Sequence, residues 1–160
     1  MKTTTEYTIS EKLEALRNHL IENEGFTAEE VEDLTYEENW ETFCISGYEY
    51  KVFTDSEADD ETFESINESL WAFNADFILQ HTEFYKHSNR WEDEQFVKAI
   101  QELQQSLCES ANPIVRALIA DMQKFIWDAI SADGRGHFLS TYDGDEIESD
   151  DGRFYIYRIN

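Results

Sequence analysis

The stretch Trp40-Glu41-Thr42-Phe43-Cys44-Ile45-Ser46-Gly47-Tyr48-Glu49-Tyr50-Lys51-Val52-Phe53-Thr54 is rich in aromatic and β-branched residues on either side of Ser46-Gly47, as expected of two short strands joined by a tight turn. It predicts a β-hairpin. Upstream, Thr8 with Glu11 has capping-box spacing and precedes Leu13, Leu16 and Leu20 at helical intervals, so a helix is expected from Ile9 to Asn23, ended by Gly25. Thr27 with Glu30 repeats the signature before a short acidic helix through Leu34. Downstream, Thr54 with Glu57 opens a helix to Ala72, and shorter helical patterns follow around Phe77 to His81 and through Phe96, Ile100, Leu103 and Leu107. Asn112 as cap and Pro113 at the first helical position announce the most apolar helix, running to Ile130 and expected at the centre of the fold. Gly134 and Gly136 stop it, and His137-Phe138-Leu139 and Phe154 to Ile159 read as two further strands around a turn at Tyr142 to Asp145. Strands and helices do not alternate as a parallel sheet requires. The expected class is therefore α+β: a helical bundle around a central apolar helix with a small antiparallel sheet of two hairpins, in a single domain over residues 1–160.

The chain has 160 residues, 41% apolar and 14% aromatic, which suffices for a packed core and excludes a wholly disordered acidic tail. Against this stands a formal net charge of -24, from 36 acidic and 12 basic residues. No basic stripe is present to neutralise phosphates, so direct binding to nucleic acid is excluded, and an anionic membrane is excluded on the same ground. Charged residues interrupt every apolar run, so no spanning helix is expected. Met1-Lys2-Thr3-Thr4-Thr5-Glu6 lacks an apolar signal segment, which points to a cytoplasmic chain whose Cys44 and Cys108 stay reduced, buried thiols.

The surplus is uneven. Residues 55–72 carry seven acids and no base. On a helix, Glu57, Glu61, Glu64 and Glu68 form one stripe with Asp60 and Trp71 beside it, while Thr62, Phe63, Ile66, Leu70 and Phe73 take the other side. Successive stripe carboxylates lie roughly 4.5–6 Å apart along the axis at 1.5 Å rise per residue, an interval a phosphate-binding groove accepts. Like charges at these spacings destabilise a helix, so a layout serving stability alone would place Lys there. A second cluster comprises Glu29, Glu30, Glu32, Asp33, Glu37 and Glu38, and a third Asp143, Asp145, Glu146, Glu148, Asp150 and Asp151. The competing explanations are a merely solvated acidic face and adaptation to high salt; uneven charge and plentiful large apolar residues weigh against the second.

Catalytic and metal signatures are largely missing. Asp143 to Gly152 departs from an EF-hand loop, with Ile147 and Glu148 where an acidic or Asn side chain and a Gly belong. No zinc spacing occurs among His81, His87, Cys44 and Cys108, and no GxSxG, Walker A or GxGxxG is found, so no metal or cofactor is expected. Asp133-Gly134-Arg135-Gly136-His137 reads either as an anion-binding nest or as the glycine stop of the central helix. Trp71, Trp91 and Trp127 read as core or interface anchors.

Tyr50 to Asp59, Glu68 to Phe73, Asp133-Gly134-Arg135-Gly136-His137 with Tyr142-Asp143-Gly144, and the closing Phe154-Tyr155-Ile156-Tyr157-Arg158-Ile159-Asn160 resemble a family of small acidic proteins of tailed bacteriophages and prophages. The resemblance covers roughly the middle third and the last thirty residues, and it implies a phage setting without an activity. In that setting the charge layout is similar, as a surface, to DNA mimics that block restriction or CRISPR effectors. The expected function is a non-enzymatic inhibitor that occupies the groove of a basic nucleic-acid-binding host protein through Glu57, Asp60, Glu61, Glu64, Glu68, Trp71, Asp143, Asp145 and Glu146. A homo-oligomer is compatible with this. Two other functions compete: a small hydrolase or ligand-binding protein with a pocket at Asp133, Arg135, His137 and Tyr142, and an assembly or regulatory protein that binds a basic partner without mimicry.

Overall fold

A computed structural model describes residues 7–160, so Met1 to Glu6, which carry the expectation of a cytoplasmic chain, lie outside the described residues. The elements are α1 (Ile9–Asn23), β1 (Thr35–Glu37), β2 (Thr42–Ile45), β3 (Tyr48–Phe53), α2 (Asp55–Glu68), α3 (Ala75–Gln80), α4 (Arg90–Leu107), α5 (Asn112–Leu118), α6 (Met122–Leu139), β4 (Ile147–Glu148) and β5 (Tyr155–Arg158). The class is α+β, with one five-stranded antiparallel sheet in the order β1-β2-β3-β5-β4. Backbone contacts gather the chain into two compact units, residues 7–62 with 135–160, and residues 63–134 inserted between them in sequence.

In the first unit the sheet alternates as its pleat requires. Tyr50 and Val52 of β3, Phe43 and Ile45 of β2 and Ile156 of β5 join Leu16 and Leu20 of α1 in one core. Phe53 and Tyr157 belong instead to a second cluster with Ala58 of α2 and Leu139. The register Lys51↔Tyr157, Val52↔Ile156, Phe53↔Tyr155 aligns the two sets across β3 and β5. Ser46 (φ 49) and Gly47 (φ 86) make the tight turn between β2 and β3. Both expected capping boxes at Thr8 and Thr54 form: Thr8 Oγ1 accepts from Glu11 N at 3.3 Å, and Thr54 N donates to Glu57 Oε2 at 2.7 Å.

The second unit is helical. Its core includes Ile66, Leu70, Ile78, Ile100, Val115, Phe125 and Ile126, and Phe125 meets Phe73, Phe77 and His81 edge-on. The chain leaving α2 is clamped by side chains: Asn112 Oδ1 accepts from Trp71 N at 2.8 Å and Asn112 Nδ2 donates to Asn67 O at 2.7 Å. Gln104 Nε2 donates to Trp71 O and Phe73 O. Asn112 therefore ties two segments together and is not the cap expected of it; Ala111 holds the N-cap position.

Several local expectations change. The single helix from Asn112 to Ile130 is two, because Ile119 turns extended (ψ 121) and bridges Thr82, Ala120 N donates to His81 O, and Asp121 Oδ1 accepts from Lys124 N to start α6. Gly134 breaks α6 without ending it: at φ 77 and ψ 159 it adopts a conformation open essentially to glycine alone. The helix then resumes, so His137-Phe138-Leu139 are helical and the strand that forms a hairpin with β5 is Ile147–Glu148. The segment to Leu34 is only a 3-10 turn, Glu30–Asp33, followed by the unforeseen edge strand β1. Cys108 is exposed and Cys44 half-buried, and both are free thiols. Among the described residues, no helix is long and apolar enough to cross a membrane.

Candidate functional site

The charge is concentrated in the first unit. Residues 1–62 and 135–160 hold 24 acidic and 7 basic residues, against 12 and 5 in residues 63–134. Several of the first unit's bases are occupied internally. Lys12 Nζ lies 2.7 Å from Glu57 Oε2, and Arg153 pairs with Asp151 at 2.7 Å and Glu11 at 3.4 Å. Arg17 donates to Val31 O, and Arg158 donates to Asn160 O while stacking 3.8 Å over the Tyr142 ring.

Arg135 is the most committed of these bases. Its side chain is only 11% exposed. Nε and Nη2 form a fork on Glu146 at 2.8 and 3.0 Å, and Nη1 reaches Asp55 Oδ1 and Asp59 Oδ1, each at 2.9 Å. The guanidinium lies 4.5 Å above the Tyr155 ring, and Tyr157 donates its hydroxyl proton to Glu146. Burial opposes the charge on Arg135, but Glu146, Tyr157 and Asp55 outweigh it and hold the guanidinium firmly protonated. Burial and the Glu146 contact likewise push the Tyr157 phenol up.

The acids of α2 consequently sort into sets. Asp55 and Asp59 turn to Arg135. Glu57 caps Thr54 and pairs with Lys12; burial would raise its pKa, but the Lys12 and Thr54 bonds prevail and lower it. Asp60, Glu64 and Glu68 are exposed and Glu61 is half-buried, and none of the four makes an ion pair among the described residues. Ala58, Thr62 and Ile66 supply the buried side, as the helical spacing predicts. Trp71 is half-buried, with its backbone in the Asn112–Gln104 clamp.

In the third cluster Asp143 is a turn-former: its Oδ1 accepts from Ser140 Oγ at 2.7 Å and from Asp145 N at 3.0 Å. Asp151 holds the turn into β5, accepting from Ser149 Oγ and Arg153 N. Glu146 is bound to Arg135, while Asp145, Glu148 and Asp150 face solvent. Of the second cluster, Glu30 closes a capping box with Thr27, and Glu29, Glu32, Asp33, Glu37 and Glu38 are exposed. For the competing pocket, Arg135 is engaged by three carboxylates and Tyr142 lies under Arg158, while His137 is exposed. Among the described residues no group of three or more His, Cys, Asp or Glu side chains could hold a metal ion.

Backbone N–H groups stabilise the charged forms of Glu11 and Glu30, and the Ser140 hydroxyl does so for Asp143, lowering all three pKa values. A depressed folded-state pKa means stability present above the unfolded value and lost as pH falls through the folded one. Glu22 has the opposite sign, because its contact with the Asp150 carboxyl raises its pKa and favours protonation. Repulsion within a chain of net charge -24 also eases on acidification. The melting temperature should therefore rise from pH 7 to about pH 5 and drop below about pH 4, where ordinary carboxylates titrate. Thermal scans across this range check it, and a monotonic decline from neutrality would contradict it.

Comparison of the chain with protein-family models, with curated proteins and with solved structures returns no match.

Proposed function

We propose that this chain is a non-enzymatic cytoplasmic inhibitor, of anti-CRISPR or anti-restriction type, that offers carboxylates to the nucleic-acid groove of a basic host protein in a phage-bearing cell. The observation that carries this reading is the sorting of acids on α2. Asp60, Glu61, Glu64 and Glu68 have no ion-pair partner among the described residues, although Lys12 and Arg135 neutralise acids on the same helix. Glu61, Glu64 and Glu68, spaced roughly 4.5 and 6 Å along the axis with Asp60 beside them, attract a cationic groove at long range and then form charge-assisted pairs with its Arg and Lys side chains. Asp145, exposed in the loop before β4, is a further carboxylate open to such a partner. Glu57 and Glu146 support it structurally, because their carboxylates already have partners.

The test is competitive elution. Host proteins retained on the immobilised chain are challenged with short duplex DNA at low salt, and a partner released by the duplex supports mimicry. A partner that holds the duplex and this chain together overturns it. Joint reversal of Glu61, Glu64 and Glu68 to Lys should slow association with that partner about 10- to 100-fold, since electrostatic steering changes on-rates on this scale. The melting temperature should move little. Loss of folding without loss of rate in the folded fraction would assign these residues a structural role.

A further inference from the structure

We propose that a cleft in the first unit, framed by the start of α1, the β1–β3 side of the sheet and the first turns of α2, is a binding site for an organic cation. The ligand is an alkylammonium or alkylguanidinium at the end of an unbranched chain. The cleft encloses about 380 Å³, within the range of roughly 300–1,000 Å³ of small-ligand sites. Rings of Tyr7, Tyr36, Phe43 and Phe53 line it, and its charged groups are Glu41, Glu57, Asp60 and Glu61 against the single ammonium of Lys12.

Each part of that lining selects for the same chemistry. Four carboxylates against one ammonium repel anions. The aromatic walls favour a weakly hydrated cation with an apolar stem over a small hydrated one, because ring faces attract organic cations and bury methylenes. No group of three carboxylates able to hold a metal ion exists among the described residues. The cleft already displays this recognition on one of its own residues: the Lys12 ammonium lies 2.7 Å from Glu57 and 6.0 Å from the centre of the Phe53 ring. Lys12 uses Glu57, leaving Asp60 and Glu61 without ion pairs for a second cation. Burial together with Glu41, Glu38 and Glu57 raises the pKa of the Tyr36 phenol, a sign of the negative field around this wall.

The site shares Asp60 and Glu61 with the proposed partner face but needs no macromolecular partner, so small cations alone test it. The probes are N-acetyl-lysine methylamide and N-acetyl-arginine methylamide, standing for a protein side chain, and 1,5-diaminopentane, standing for a free diamine; N-acetyl-norleucine methylamide is the neutral isostere. Ring resonances of Tyr7, Tyr36 and Phe53 are followed by NMR during titration. Saturable shifts with at least one cation and none with the isostere are expected, and the tighter class identifies the source. Asp60→Asn with Glu61→Gln should weaken binding about tenfold, consistent with loss of charge-assisted contacts. Glu29→Gln with Glu32→Gln, exposed and outside the cleft lining, should leave it within about twofold. Equal binding of the isostere, or equal weakening by both variant pairs, would overturn the assignment.

Discussion

A Gly136→Ala variant is expected to lose about 3 kcal/mol of stability or more, at or beyond the upper end of ordinary overpacking costs. Gly136 is buried in the short helical segment after the Gly134 break. A Cβ added there would lie 2.3 Å from Gly144 O, 2.7 Å from Asp145 C and 2.8 Å from Glu146 N. All three are backbone atoms, so no side chain can swing aside. Either the loop at 144–146 retreats, drawing Glu146 away from Arg135 and Tyr157, or the segment 135–139 moves and lifts Leu139 from Phe53, Ala58 and Tyr157. Gly144→Ala is the control. At φ 78 with nothing within 4 Å of the added carbon, it should cost only the left-handed strain of about 1–2 kcal/mol. Urea titration of both variants decides the matter: equal losses would mean that the close approach of these two segments is not what holds the loop.

That contact explains why part of the molecule was legible in the sequence and part was not. Capping at Thr8 and Thr54, the turn at Ser46-Gly47 and the buried side of α2 depend on residues within a few positions of each other. Periodicity and turn chemistry report such neighbours directly. The break at Ile119 depends on a distant partner, Thr82, and at Gly134 glycines that read as a stop are equally compatible with a helix that resumes. The candidate site divides in the same way. Exposure of Asp60, Glu64 and Glu68 follows from helical spacing, whereas the loss of Asp55 and Asp59 to Arg135 is set by residues 80 and 76 positions away. Glu57 is a different case, since its own sequence context contains the answer: a Glu at the third position of a capping box folds back on Thr54 and cannot also project along an outer stripe.

Removing Arg135 should expose how much these two sets of acids differ. In Arg135→Met the stem volume is largely kept, but Asp55, Asp59 and Glu146 are left around the Tyr155 ring without their cation. Breaking a buried pair costs about 3–5 kcal/mol, and about 3 is expected here because the Asp55 side chain, 70% exposed, can turn to water. Arg135→Lys keeps the charge but not the fork that serves Glu146 with two nitrogens while a third reaches both aspartates. It should recover only about half of the loss, since a point charge cannot replace bidentate geometry. Adding Asp55→Asn, Asp59→Asn and Glu146→Gln to Arg135→Met should restore stability relative to Arg135→Met alone. An Arg135→Met cost below about 1 kcal/mol, the level of an exposed pair, would show that the three carboxylates are hydrated in the folded chain. The variant also separates scaffold from function. Arg135 draws acids away from the outer face, so folded Arg135→Met should meet a basic partner at least as fast as the parent, and a slower encounter would place the Asp55–Asp59–Glu146 cluster in the binding surface.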